Sequence, residues 1–360
     1  MFRTFFRLNM MMACCVFLSQ IAAAQPNKIG FLLKSMQRER YQTDRALFLA
    51  RVRALGADVV FDSSENDEQL QAQQFEKMLT EGCQVIVMQP VNTATAGALT
   101  QKAHEKGVKV VGYDSMLQNG PLDVMVMQDS WAVGALQGAE LVKWLQAAKG
   151  KVEGNVALIM GQPGNANAAA MSEGVLKTIQ ENPGLKLVAQ REHVGWSPEL
   201  SQKTAEELLA QDPPIDAFVC NNSSLASGVI AALESKNLAD SAKIFVAGAD
   251  ADLKNVQYVA QGKQTVEIFK KIQPLAYKAA EIAVALAENP TAAPADIAQR
   301  AADEQGRFAM LNNGAMDVPT LITQIVVVTK ETIDQTVIAD NGAAAGEKFF
   351  TREQVYGKSE

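Results

Sequence analysis

Strand-like and helix-like segments alternate along this chain with little between them, and the alternation restarts once, near Asp129. Short apolar runs such as 244–247 and 83–88 lack the two-residue alternation of a half-exposed strand. They suit strands buried on both faces of a parallel sheet. The spacing predicts strands at 27–33, 57–62, 83–90, 108–114 and 124–129, with helices over 39–54, 67–79 and 92–103, the last capped by Asn92 and Thr93. Beyond Asp129 it predicts a long helix over 130–147, then strands at 154–161, 185–192, 215–222, 244–247 and 265–269. Helices fall between them at 167–180, 197–210 (Ser197 as cap, Pro198 behind it) and 224–235, and one begins at Leu253. Repeated βα units imply parallel sheets with right-handed crossovers. The fold class is therefore α/β, and the restart implies two similar doubly wound parallel-sheet lobes rather than one large sheet.

The boundaries expected on this reading are 27–128 with 270–312 for the first lobe and 129–269 with 320–345 for the second. Several chain crossings between the lobes would form a hinge. An Ala-rich helix over 276–288, a Pro/Ala surface insertion over 290–303, a strand over 320–329 and a polar tail over 346–360 complete it.

The N-terminus has its own logic. Arg3 and Arg7 precede a largely apolar run from Leu8 to Ile21, and Ala22, Ala23 and Ala24 offer a small-residue cleavage site. Residues 1–24 thus form an expected export leader. A lipoprotein alternative, with Ala13 before Cys14, has Met11 and Met12 against it. No later apolar run reaches membrane length, so a soluble periplasmic protein is expected. The formal charge of −7 opposes a nucleic-acid partner bound through phosphates.

Two histidines, His104 and His193, leave little for a metal site or a histidine triad, and no metal or cofactor is expected. His104 sits at a solvated helix end, and His193 is a weak site candidate. Cys83 and Cys220 lie in strand patterns far apart, so a disulfide between them is possible but not suggested. The first βα turn lacks the dinucleotide glycines, no phosphate loop or nucleophile elbow occurs, and no acidic cluster has calcium-loop spacing. Nothing assembles a nucleophile with its base, so no catalytic residue is assigned and no enzyme is expected.

What recurs instead is a polar or aromatic residue at the carboxyl end of strand after strand, where open α/β sheets bind ligands. The first lobe supplies Lys34, Arg40, Tyr41, Asp114 and Ser115. The second supplies Asn165, Asn167, Trp196, Asn221, Asn222 and Asp250, and Lys270 sits at a crossing. Singly, each has a plain structural reading: Asn165 as a helix cap, Tyr41 and Trp196 as core, Arg40 on a solvated face, Asp252 as the cap of its helix. Together they line one edge of both sheets. Carboxylates, amides and a guanidinium satisfy vicinal hydroxyls, and flat rings cover an apolar C–H face, so a polyol is the ligand class that fits.

The stretches RERYQTDR (38–45), GYDSM (112–116), GWSPE (195–199), GADADL (248–253), IFKKI (268–272) and LNNGAMDVP (311–319) carry a resemblance. In that order they resemble the periplasmic sugar-binding proteins of ABC import systems, most of all their xylose-binding branch. It spans nearly all of the chain after the leader, apart from 290–306 and the tail. It implies the type I binding-protein fold, capture of a small sugar in an interlobe cleft, transient docking of a monomer on an inner-membrane permease, and no enzymatic activity. It further implies ligand roles for Arg40, Asp114, Asn167, Asn222, Asp250 and Lys270, stacking by Trp196, and Tyr41 beside the site. Three positions depart from the pattern: Ser115 replaces an arginine, Asn165 an aspartate, and Lys34 an acidic residue. A changed sugar, a modified sugar or a sugar acid is therefore an alternative to xylose. A sensory receptor of the same fold and, less favoured, a glycoside-acting enzyme using Asp114 and Asp250 are the other readings.

Overall fold

The structure, a computed structural model, describes residues 26–338 and 350–357. The expected leader 1–24 lies outside the described residues, as do 339–349 and 358–360. In chain order the first lobe runs β1 (Lys28–Leu33), α1 (Glu39–Ala54), β2 (Asp58–Ser63), α2 (Glu68–Thr80), β3 (Val85–Met88), α3 (Gly97–Glu105), β4 (Lys109–Tyr113) and β5 (Val124–Gln128). The second runs α4 (Ser130–Lys149), β6 (Gly154–Met160), α5 (Ala166–Glu181), β7 (Leu185–Glu192), a 3₁₀ turn (Val194–Trp196), α6 (Pro198–Leu208), β8 (Ala217–Cys220), α7 (Ser223–Ser235), β9 (Phe245–Ala249), α8 (Leu253–Ala260) and β10 (Val266–Lys270). The chain then returns to the first lobe for α9 (Ile272–Glu288), α10 (Pro294–Arg300), β11 (Gly306–Asn312) and β12 (Asp317–Thr323). It crosses once more to β13 (Ile325–Val328) and α11 (Ile333–Thr336), and α12 (Arg352–Tyr356) follows.

The two sheets share one winding. The first has the order β11-β12-β5-β4-β3-β1-β2 and the second β13-β10-β9-β8-β6-β7. Each reverses direction beside its first strand, β1 or β6, which pairs on both sides. These are the switch points where crevices open at the strand carboxyl ends. Apolar strands such as Val85–Met88 and Ala217–Cys220 are buried throughout. Helices cover both faces, making two cores on each sheet. Helix starts follow local chemistry: Asp67, Asp129, Asn165, Ser197 and Asn222 each accept backbone N–H bonds at an N-cap.

Several expectations need correction. The apolar run 320–329 is two strands in two sheets: β12 pairs with β5 in the first lobe, and β13 pairs antiparallel with β10 in the second. Residues 320–323, assigned by sequence to the second lobe, therefore belong to the first sheet. Both sheets are mixed at that edge, since β11 also pairs antiparallel with β12. The 290–303 stretch is more than a surface insertion, because α10 buries Ile297 and Ala298 against α9 and the first sheet. Helix α3 begins at Gly97 rather than Asn92, whose side chain closes a local turn on Ala94 N–H (3.0 Å). Helix α9 begins a turn early at Ile272, with Pro274 near its start, where its missing N–H costs nothing. Asp252 occupies the N-cap of α8 without a side-chain cap bond. Part of the tail is ordered: α12 packs Val355 into a small core with α8.

The chain crosses between sheets after β5, after β10 and at Gln324, and the crossings are tied together. Gln128 Nε2 donates to the Lys271 carbonyl at 3.1 Å, and Lys271 Nζ donates to Gln324 Oε1 at 3.3 Å. Three adjacent strands of chain at one edge are what a two-lobed hinge needs.

Candidate functional site

The carboxyl ends of β1, β4, β6, β8, β9 and β10 converge on one narrow cavity, with a wider mouth outside it. Ten of the eleven sequence-selected residues line it: Lys34, Arg40, Tyr41, Asp114, Asn165, Asn167, Trp196, Asn222, Asp250 and Lys270. Ser115 does not reach the wall; it is buried beside it and accepts a bond from Asn167 Nδ2 at 2.9 Å.

At the centre, Arg40 joins the lobes. Its Nη2 donates to Asp114 Oδ1 (3.3 Å) and its Nη1 to Asp250 Oδ1 (3.1 Å), carboxylates from opposite sheets. Its Nε reaches Asp44 Oδ2 (3.4 Å), and the other oxygen, Asp44 Oδ1, accepts from the Tyr113 hydroxyl. The Lys270 ammonium lies between the same two site carboxylates, 3.6 Å from Asp114 and 3.4 Å from Asp250. Gln89 Nε2 completes Asp114 at 2.9 Å. Burial by itself pushes the Asp114 carboxyl up, but Arg40, Lys270 and Lys34 outweigh it and hold it well below the usual range. Asp250 is held low in the same way, against burial, by Lys270, Arg40 and Arg38. Asp44 goes the other way: burial dominates its favourable partners and raises it to about 6.

Backbone geometry at these positions is unusual. Asp114, Trp196, Asp250 and Ala251 all have positive φ, at 64°, 59°, 99° and 58°. Non-glycine residues adopt this region at a cost, and such residues gather at ligand sites held by their surroundings. The Trp196 ring lies against Gly161, where a Cβ would come within 2.3 Å of it. Only glycine permits that approach.

Asn165 and Asn222 each cap a helix and line the cavity, and for Asn222 the capping was not foreseen. Asn165 Oδ1 caps α5 through Asn167 N–H (3.0 Å) and Ala168 N–H (3.1 Å). Asn222 Oδ1 caps α7 through Leu225 N–H (3.0 Å), while its Nδ2 is buried without a partner among the described residues. A buried donor left over on a cavity wall is available to a ligand. Asn167 Nδ2 crosses the cleft to the Asp114 carbonyl (3.1 Å).

Sequence reasoning missed Arg38, Met171 and Gln89, and noted Asn221 without giving it a role. Arg38 lines the cavity, places its guanidinium 5.3 Å from the Trp196 ring centre and lies 3.6 Å from Asp250 Oδ2. Gln89 stands at the end of β3, so the strand-end rule could have found it. His193 is structural: it bonds the Met160 carbonyl (2.9 Å) and the Thr204 hydroxyl (3.0 Å) away from the cavity. His104 is not simply solvated, because it pairs with Asp123 at 2.7 Å. Cys83 and Cys220 are free and buried in different lobes. Among the described residues no group of His, Cys, Asp and Glu could hold a metal ion, and no helix is long and apolar enough to cross a membrane.

Comparison with known proteins fits this geometry. The family model described as periplasmic binding protein domain matches residues 29–291. The D-xylose-binding periplasmic protein of Escherichia coli K12 is 34% identical over 92% of this chain and 96% of its own length. That of Haemophilus influenzae is 32% identical over 97% and 98%. Two solved structures share the fold: an ABC transporter solute-binding protein from Clostridium phytofermentans with bound β-D-glucose, and the Caulobacter myo-inositol-binding protein. The first gives a TM-score of 0.76 at 23% identity over 91% of this chain and all of that one. The second gives 0.71 at 17% over 87% and 98%. These relatives are receptors, not enzymes. The chain belongs to the periplasmic binding protein family, among the sugar-binding receptors of ABC importers.

Proposed function

We propose that this protein is exported to the periplasm, captures one monosaccharide, a xylose-like pentose or a related sugar, in the interlobe cavity, and delivers it to an ABC permease. The observation that carries the proposal is the double-sided wall. Asp114 comes from one lobe, Asp250 and Asn222 from the other, and Arg40 and Lys270 reach both carboxylates. A ligand bonded to both walls binds the closed form better than the open one, which is the only way it can shift the hinge. Tyr41 and Trp196 supply flat apolar faces for sugar C–H groups. The leader pattern at 1–24 supports export, and the family supports the permease partner.

The test is a thermal-shift screen of the leaderless protein against pentoses, hexoses, sugar acids, polyols and nucleosides. A ligand present at about a hundred times its Kd adds roughly 2.7 kcal/mol to the folded state. A rise confined to one sugar or sugar acid, and lost in Asp250→Ala, is the expected result. No rise with any sugar, acid or polyol would end the assignment.

A further inference from the structure

Resting on the monosaccharide reading, we infer that the ligand is an acidic sugar, a uronate or aldonate whose single carboxylate sits between Lys34 and Arg38 at the Trp196 end of the cavity. Four cations line this cavity: Lys34, Arg38, Arg40 and Lys270. Among the described side chains the carboxylates facing them inside the cavity are three, Asp114, Asp250 and Asp44 beneath them, so the cations there exceed the anions by one charge. Glu68 lines only the wider mouth, where its carboxylate accepts from Asn92 and Thr95.

The excess has a location. Arg40 and Lys270 are committed to the three carboxylates through bonds of 3.1–3.6 Å. Lys34 is buried, and its ammonium has no hydrogen bond or ion pair among the described residues; it rests 5.8 Å from the Tyr41 ring centre and 5.9 Å from that of Trp196. Arg38 lies over the same two rings, at 5.8 and 5.3 Å. Its one ion pair is a loose 3.6 Å contact, and its Nη2 is buried with no partner. Aromatic faces attract cations but accept no strong hydrogen bond, so both groups keep unused donors facing the cavity. Their attraction to Asp114 and Asp250 acts across longer separations and leaves these donors unfilled, and a bound carboxylate fills them with charge-assisted hydrogen bonds. Hydroxyls of the same sugar would meet Asp114, Asp250 and the free Asn222 Nδ2. One surplus charge suits one carboxylate and not a phosphate ester, which carries nearly two at neutral pH.

The experiment is calorimetric titration of the leaderless protein with D-xylose, D-glucose, D-galactose, their uronates and aldonates, and glucose 6-phosphate, at low and high salt. The expected result is an acid bound at least about tenfold tighter than its neutral counterpart, with that advantage shrinking as salt rises. Lys34→Gln and Arg38→Gln should each narrow the acid-to-neutral ratio by about tenfold, with unchanged circular dichroism reporting a folded variant. Equal binding of acid and neutral sugar, a ratio that survives both substitutions, or a preference for the phosphate would overturn the inference and leave the sugar reading standing. No binding by any sugar, neutral or charged, would overturn both.

Discussion

Glu267 lies on β10 with no solvent exposure, and its pKa is pushed up to about 8 because burial outweighs its hydrogen bonds from Gln264, Ser223 and Ala251. The local bonding supports a proton there. Ser223 Oγ has one hydrogen but two acceptors in reach, the Ala249 carbonyl at 2.9 Å and Glu267 Oε2 at 2.8 Å. If Glu267 donates to Ser223 Oγ, the hydroxyl hydrogen goes to Ala249, and Ser223 Oγ still accepts from Asp252 N–H at 3.2 Å. Every polar atom is then satisfied. The same carboxyl accepts from Ala251 N–H at 3.0 Å, so it fixes the positive-φ turn that places Asp250 on the cavity wall.

The sign of the pH effect follows. Between its ordinary 4.5 and about 8 the folded chain holds a proton that the unfolded chain releases, so stability falls as pH rises through that window and levels off above it. At about 1.36 kcal/mol per pH unit, the full window corresponds to about 5 kcal/mol. Glu267→Gln removes the proton and its slope. The amide nitrogen can donate to Ser223 but cannot accept from Ala251, which costs about 1 kcal/mol. Urea unfolding, followed on the transition of the second lobe, should therefore find the variant about 1 kcal/mol less stable near pH 3.5, below the window, and about 4 kcal/mol more stable near pH 9. A difference that stays constant across that range would refute a buried neutral Glu267.

Arg40→Met should cost about 3–5 kcal/mol in urea unfolding, because it leaves buried Asp44 with no cation and Asp114 and Asp250 with only their longer contacts to Lys270 and Arg38, and it should abolish ligand binding; a variant as stable as the wild type would contradict the central role of this guanidinium. Gly161→Ala forces the Trp196 ring away from its seat and should weaken ligand binding roughly tenfold in calorimetry, with the circular dichroism spectrum retained. Gln128→Ala cuts one tie between chain crossings, worth about 1 kcal/mol, and small-angle scattering of the ligand-free protein should show a larger radius of gyration; an unchanged radius would remove Gln128 from the hinge.

Much of the architecture was legible because burial on both faces writes itself into sequence. Strands β1, β5 and β7 and helices α1, α4, α5 and α7 lie within a residue or two of their expected bounds. The site was legible through a topological rule: polar residues after strand ends must meet at the crevice, and ten of the eleven chosen line it. The failures share a cause. Pattern reading sees a segment and its neighbours but not its distant partners, so α10 passed for a surface insertion until Ile297 and Ala298 met α9. Likewise β11, with alternate residues partly exposed, gave no strong apolar run and was not read as a strand.

By itself the sequence determined the two-lobed α/β class, the restart at Asp129, the family, and the set of residues at the strand ends, since all of these depend on local pattern and order along the chain. Only the tertiary structure decided that 320–329 is divided between two sheets, because both halves have equal strand character and the break at Gln324 exists only relative to β5 and β10. It also decided which charges cancel. Arg38, Arg40, Lys34 and Lys270 are four equivalent cations in sequence. The positions of Asp44, Asp114 and Asp250 leave Arg40 and Lys270 paired, and Lys34 and Arg38 over two aromatic rings. Charge pairing depends on separations of a few ångströms between residues far apart in the chain, and only the folded arrangement sets those.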